Sequence, residues 1–186
     1  MQLQGIDDLL AAATAAHDAG QHDEAFALWC EYREKCPEDP LGYLKAGVAL
    51  RQSGDFVSAD SIFKKGLEKC KNPLSLAIEY AWVAHYQLNW DEALRRWEAV
   101  AQSFPRHSAG IIGIGRALIK LIRLEEAEER LSSAASRFPA DLFVATTVAE
   151  IATAREDWKE AVSRWNRVLI IKPDSESAIS ERGIAL

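Results

Sequence analysis

Positive charge is in short supply. Lys and Arg number 22 against 28 Asp and Glu, which leaves a net charge of -6 and a pI near 5.3. Phosphate backbones and anionic lipid surfaces select for a basic face, so nucleic acid and membrane are set aside as partners. Long apolar runs are missing as well: none approaches the roughly 18 residues that span a bilayer. The opening MQLQGIDDLLAAATAAHDAG lacks the basic start and apolar core of a secretory signal. Cysteine is scarce. Cys30, Cys36 and Cys70 are odd in number and show no CxxC spacing, which argues against a disulfide framework and fits reduced thiols in a cytoplasmic compartment. No run shows sustained period-two alternation, so essentially no sheet is expected.

Catalytic signatures are equally thin. There is no GxSxG, and Cys30 has no activating base in the frame. His17, Asp18, His22 and Asp23 straddle one polar turn and read as a solvated turn, because metal ligands must converge and be held from behind. LEEAEER, residues 124–130, is an acidic helix start that suits the positive end of a helix dipole. In GIIGIGRAL, residues 110–118, the glycines fall in the wrong order for a phosphate loop and no strand precedes them. Neither a catalytic centre, a metal nor a cofactor is expected.

What the chain does contain is a repeat. Ala25, Ala59, Ala93, Ala127 and Ala161 each lie 34 residues from the next, with no gap. Twelve residues before them stand Ala13, Gly47, Ala81, Gly115 and Ala149, always small. Twelve residues after them come Pro37, Pro105, Pro139 and Pro173, with Lys71 breaking the series and Pro73 close behind. Gly183 continues the small-residue series into a sixth, unfinished unit.

Each unit reads as a helical hairpin, since apolar residues recur at spacings of three and four on both sides of a short polar turn such as QSGDF or REDWKE. Antiparallel helices approach closely only where side chains are small, so the Ala and Gly places mark the crossings. Proline then ends each second helix.

This pattern resembles the tetratricopeptide repeat (TPR), in which small residues mark the helix crossing, bulky residues surround the turn and a proline closes the unit. The resemblance covers residues 6–175 and implies an all-α, right-handed superhelical solenoid of antiparallel hairpins. The units are placed at 6–39, 40–73, 74–107, 108–141 and 142–175, and residues 176–186 begin a partial sixth repeat or a capping helix. The turn glycine is missing from the third, fourth and fifth units. The family fills two places, one just before the alanine and one four residues after it, with large residues. Here these are Phe56 and Phe63, Trp90 and Trp97, Leu124 and Leu131, Trp158 and Trp165, with His22 and Trp29 in the first unit. Five of the six tryptophans are thereby assigned to the core.

The sixth, Trp82, falls on a first helix. First helices in this family line a concave groove that receives peptides or partner segments. Projected onto this chain, that face carries Val48, Arg51, Ile78, Trp82, His85, Ile112, Arg116, Ile119, Lys120, Phe143 and Glu150. Trp82 with Arg51, Arg116 and Lys120 suits a protein segment that has an apolar anchor and acidic groups. Its alternative is to pack between adjacent first helices. Gly113 carries a similar pair of readings, a pocket in the groove near Trp82 or a glycine tolerated inside a packed helix. The set of Lys and Asn used to clamp chaperone tails is missing: Leu10 and Thr14 stand where the first pair would fall. The leading expectation is a noncatalytic protein-protein interaction module in the cytoplasm. Two others stay open: the recruiting N-terminal domain of a larger bacterial-type enzyme such as a glycosyltransferase, and a self-associating scaffold. The apolar end GIAL is poor capping chemistry and favours the front part of a longer protein over a minimal cap.

Overall fold

The computed structural model describes residues 5–71 and 73–186. The first four residues of the opening stretch and Asn72 of the second unit lie outside the described residues. Among the described residues the chain is a succession of helices without a strand: α1 (Ile6–Asp18), α2 (His22–Lys35), α3 (Pro40–Gln52), α4 (Phe56–Lys69), α5 (Leu74–Tyr86), α6 (Trp90–Ser103), α7 (Ala109–Lys120), α8 (Leu124–Arg137), α9 (Leu142–Ala154), α10 (Trp158–Ile171) and α11 (Glu176–Ala185). None is long and apolar enough to cross a membrane.

Local chemistry fixes where these helices start and stop. Asp55, Asn89 and Asp157 cap α4, α6 and α10 by accepting from the backbone N–H of Ser58, Glu92 and Glu160. Asp39 caps α3 directly before Pro40, a residue suited to the first helical position. The second helices α2, α6, α8 and α10 end two residues before Pro37, Pro105, Pro139 and Pro173. α4 ends in the same register at Lys69, where no proline follows at that place.

The turn between a first and a second helix is a left-handed cap in every unit. Gly20, Gly54, Leu88, Ile122 and Glu156 have φ of 70°, 87°, 57°, 58° and 57°. The next residue's N–H closes back on the helix, as from Gln21 to Ala16 O (3.0 Å), Asp55 to Leu50 O (2.9 Å), Arg123 to Leu118 O (2.9 Å) and Asp157 to Ala152 O (3.1 Å). The missing turn glycines therefore change the cost of the turn and leave its shape alone. A left-handed residue with a Cβ costs about 1–2 kcal/mol, whereas glycine loses about 0.5–1 kcal/mol through unfolded-state entropy. Ile122, β-branched and exposed, bears the larger share. Ile122→Gly is expected to raise stability by about 0.5–1 kcal/mol, read as an upward shift of the urea midpoint, and a downward shift would contradict this account.

The chain divides into two compact units, residues 1–88 and 89–186. In the first, Leu9, Ala13 and Ala16 of α1, Ala25 and Trp29 of α2, and Ala46, Ala59 and Phe63 of α3 and α4 form a continuous core. In the second, Ala149, Ala161, Trp165 and Ala178 gather α9, α10 and α11, and Ile112, Ala134 and Val144 join α7, α8 and α9. Ala25, Ala59, Ala93, Ala127 and Ala161 are all fully buried. So are Trp29, Phe63, Trp97, Leu131 and Trp165, four residues after each alanine; burying each contributes on the order of 1.5–3 kcal/mol.

The other large-residue place behaves differently. His22, Phe56, Trp90 and Leu124 are half-buried, and Trp158 is 45% exposed, so Trp158 does not belong to the core as its sequence position implied. The reason is geometric. Each is the first residue of its helix, and helical Cα–Cβ bonds tilt toward the N-terminus, so these side chains lean back over the turn at the hairpin's end.

Candidate functional site

In the first unit, α5 places Glu79, Trp82, His85 and Tyr86 at spacings that share one helix face, beside Arg51 at the end of α3. The half-buried Trp82 ring lies edge-on to His85 with centroids 4.8 Å apart, and 6.0 Å from the Tyr86 ring. Tyr86 is 49% exposed and stacks nearly parallel with Phe56 of α4 at 6.3 Å. Arg51 sits over the Tyr86 ring at 4.9 Å while its Nε donates to Glu79 Oε2 at 3.2 Å. The result is an aromatic ledge held on one side by a cation and a carboxylate that neutralise each other. Such a surface offers flat apolar area and an indole with little rotamer freedom to lose, the features that make aromatic anchors effective. Val48 packs against the core, and Ile78 is half-buried. Of the basic residues that sequence reasoning grouped with Trp82, Arg51 lies in this unit, and Arg116 and Lys120 belong to the second.

In the second unit, α7 is buried along most of its length. Ile112 belongs to the core with Ala134 and Val144, which corrects its assignment to a binding face. Of the two readings of Gly113, the structure supports the glycine inside a packed helix. A Cβ there would lie 2.0 Å from Trp97 Cδ2, so the missing side chain makes room for the α6 indole and leaves no pocket. Arg116 and Ile119 are half-buried, and Lys120 and Phe143 are exposed. Burial pushes the Glu150 carboxyl up from its ordinary range; Arg116 and Lys120 oppose this, and Glu181 of α11 adds to it. A carboxyl whose folded pKa is raised destabilises the fold once pH rises above its unfolded value. Glu150→Gln should therefore stabilise the protein at neutral pH by up to about 1 kcal/mol, with the gain gone below the ordinary carboxylate range, as urea titrations at the two pH values would register.

No protein-family model and no curated protein matches the chain. Solved structures do. MamA 41-end from Desulfovibrio magneticus RS-1 superposes with a TM-score of 0.73 at 20% identity, over 92% of this chain and 97% of that one. TTC0263, a thermophilic TPR protein in Thermus thermophilus, gives 0.72 at 17% identity, covering 97% and 98%. YrrB, described as a TPR protein with an unusual peptide-binding site, gives 0.67 at 15% identity, covering 96% and 92%. The chain has the tetratricopeptide-repeat fold.

One feature of this TPR chain escaped sequence reasoning. In the second unit a cleft of about 520 Å³ opens among α8, α9 and α10, floored by Phe138, Val144, Ala145 and Val148. Arg164 of α10 spans it. Its Nη1 and Nη2 donate to the two oxygens of Glu128 on α8, both at 2.7 Å; Nε donates to Glu160 at 2.8 Å, and Nη1 also to the Val148 carbonyl at 3.0 Å. The hydrogen bonds to Glu128 above all hold the guanidinium pKa up. A faint signal exists in the TPR register: Glu128 and Arg164 are 36 residues apart and Glu98 and Arg130, which meet at 3.0 Å, are 32 apart. Opposite charges two places off the repeat period bridge successive second helices.

Proposed function

We propose that this chain is a noncatalytic protein-interaction module, five TPR units at 6–39, 40–73, 74–107, 108–141 and 142–175 followed by the start of a sixth at 176–186. Its first helices take up an extended protein segment. The observation that carries the proposal is the Trp82 ledge: three adjoining rings on one face of α5, one of them half exposed, next to an ion pair that leaves no net charge to satisfy. An apolar anchor of the partner would lie on this ledge. In the second unit, Arg116 and Lys120 with Ile119 and Phe143 on α7 and α9 supply a first-helix face that suits acidic groups. The likeness to YrrB, whose description includes a peptide-binding site, supports the reading at the level of fold.

The test is a selection of displayed peptides on the wild-type chain, followed by affinity measurement with Trp82→Ala and Arg116→Ala. Trp82→Ala is expected to weaken the selected peptide by about 2 kcal/mol, roughly 30-fold in Kd, with the helical circular dichroism signal intact. Unchanged affinity in both variants would sink the proposal.

A further inference from the structure

The cleft opens between the second helices α8 and α10 over the first helix α9, and is lined by none of the residues assigned to the Trp82 ledge or to the first-helix face. Its walls are tied to its floor. Arg164 joins α8, α10 and the backbone of α9 in one hydrogen-bonded knot, so the opening is held in place before any ligand arrives. Its volume of about 520 Å³ and its apolar floor fall within the range of sites that take up a few side chains at once.

Charge decides what fits. Both carboxylates that line the cleft, Glu128 and Glu160, are engaged by Arg164. Arg167, exposed at the rim, takes part in no ion pair among the described residues. The lining's two carboxylates and two guanidiniums sum to no net charge, and Arg167 is the one of the four in no such pair, so the rim presents a guanidinium that can take a carboxylate beside an apolar floor. Next to it stands Ile170, 81% exposed, which extends the apolar surface outward. We infer that this cleft is a second binding site, for a protein segment that inserts bulky apolar side chains and sets a carboxylate against Arg167. The segment's apolar residues replace water over Phe138, Val144 and Val148, and its acid forms a charge-assisted pair at the rim.

The experiment titrates the full, isotope-labelled chain with three blocked peptides followed by NMR: Gly-Leu-Phe-Asp-Glu-Gly, the same peptide with Lys in both acidic places, and the same with Ala in both apolar places. The first should give saturable shifts at Val148, Ser163 and Arg167, and the other two should bind at least about tenfold more weakly. Arg167→Glu should cost at least about tenfold. Ser163→Trp, an exposed wall position that plugs the opening, should abolish the shifts and guards against a charge variant that folds poorly. Equal binding of all three peptides would overturn the inference, as would no saturable shift at millimolar peptide. Shifts confined to Trp82 and Tyr86 would place the peptide on the first-helix face and overturn it while leaving the proposed function standing. Cleft shifts that grow with protein concentration without peptide would make a second copy of the chain the occupant, and the segment assigned here would be wrong.

Discussion

Gly113→Ala is expected to lower the unfolding free energy by about 2–3 kcal/mol, although the same change in an exposed helix gains about 1 kcal/mol from propensity. The added methyl would lie 2.0 Å from Cδ2 and 2.4 Å from Cγ of Trp97. That ring is 1% exposed, so moving it disturbs everything packed behind it. Trp97→Leu alone should also destabilise, by losing buried area. The two changes together should cost at least about 1 kcal/mol less than their sum, because a smaller side chain opposite makes room for the methyl. Urea unfolding of the two single variants and the double variant measures the coupling. A neutral or stabilising Gly113→Ala would favour the other of its two sequence readings, an open place in the groove.

The second large effect separates two tryptophans of one helix. Trp165→Ala should cost about 3–5 kcal/mol: the side chain is 2% exposed and its Nε1 donates to Thr153 Oγ1 at 3.0 Å, so truncation leaves a cavity and removes that donor, while the hydroxyl keeps its own bond to the Ala149 carbonyl at 3.3 Å. Trp158→Ala, seven residues earlier at a half-exposed helix start, should cost below about 1 kcal/mol. Equal losses in parallel urea titrations would show that the first residue of α10 carries as much of the core as its partner.

These two expectations also mark where sequence reasoning succeeded and where it ran out. The alanine series was legible because close approach of two backbones tolerates almost nothing else, and each of its members is buried. Ile112 was placed on a binding face, and Gly113 was left between two readings, for a different reason. Spacings of three and four identify one apolar stripe, but α7 packs against α6, α8 and α9, and a helix enclosed on three sides keeps only a narrow strip with Arg116 and Lys120 for solvent. A pattern read one helix at a time does not count neighbours. The left-handed turns at Leu88, Ile122 and Glu156 were hidden because glycine, the residue that advertises them, is absent. The Trp82 ledge was half legible: its helix face was evident, while the stacking of Tyr86 on Phe56 and the Arg51–Glu79 pair depend on how α3, α4 and α5 pack. The α8–α9–α10 cleft exists only between elements, and no single stretch announces it.

The bridges between second helices have a consequence for modularity. Glu98 with Arg130, and Glu128 with Arg164, each join one hairpin to the next through side chains that differ from unit to unit. The units share a frame, yet each is addressed to its own neighbour. A chain assembled from the same hairpins in another order would keep its alanine crossings and lose these matched charges, so the order of the repeats is written into their outer surface.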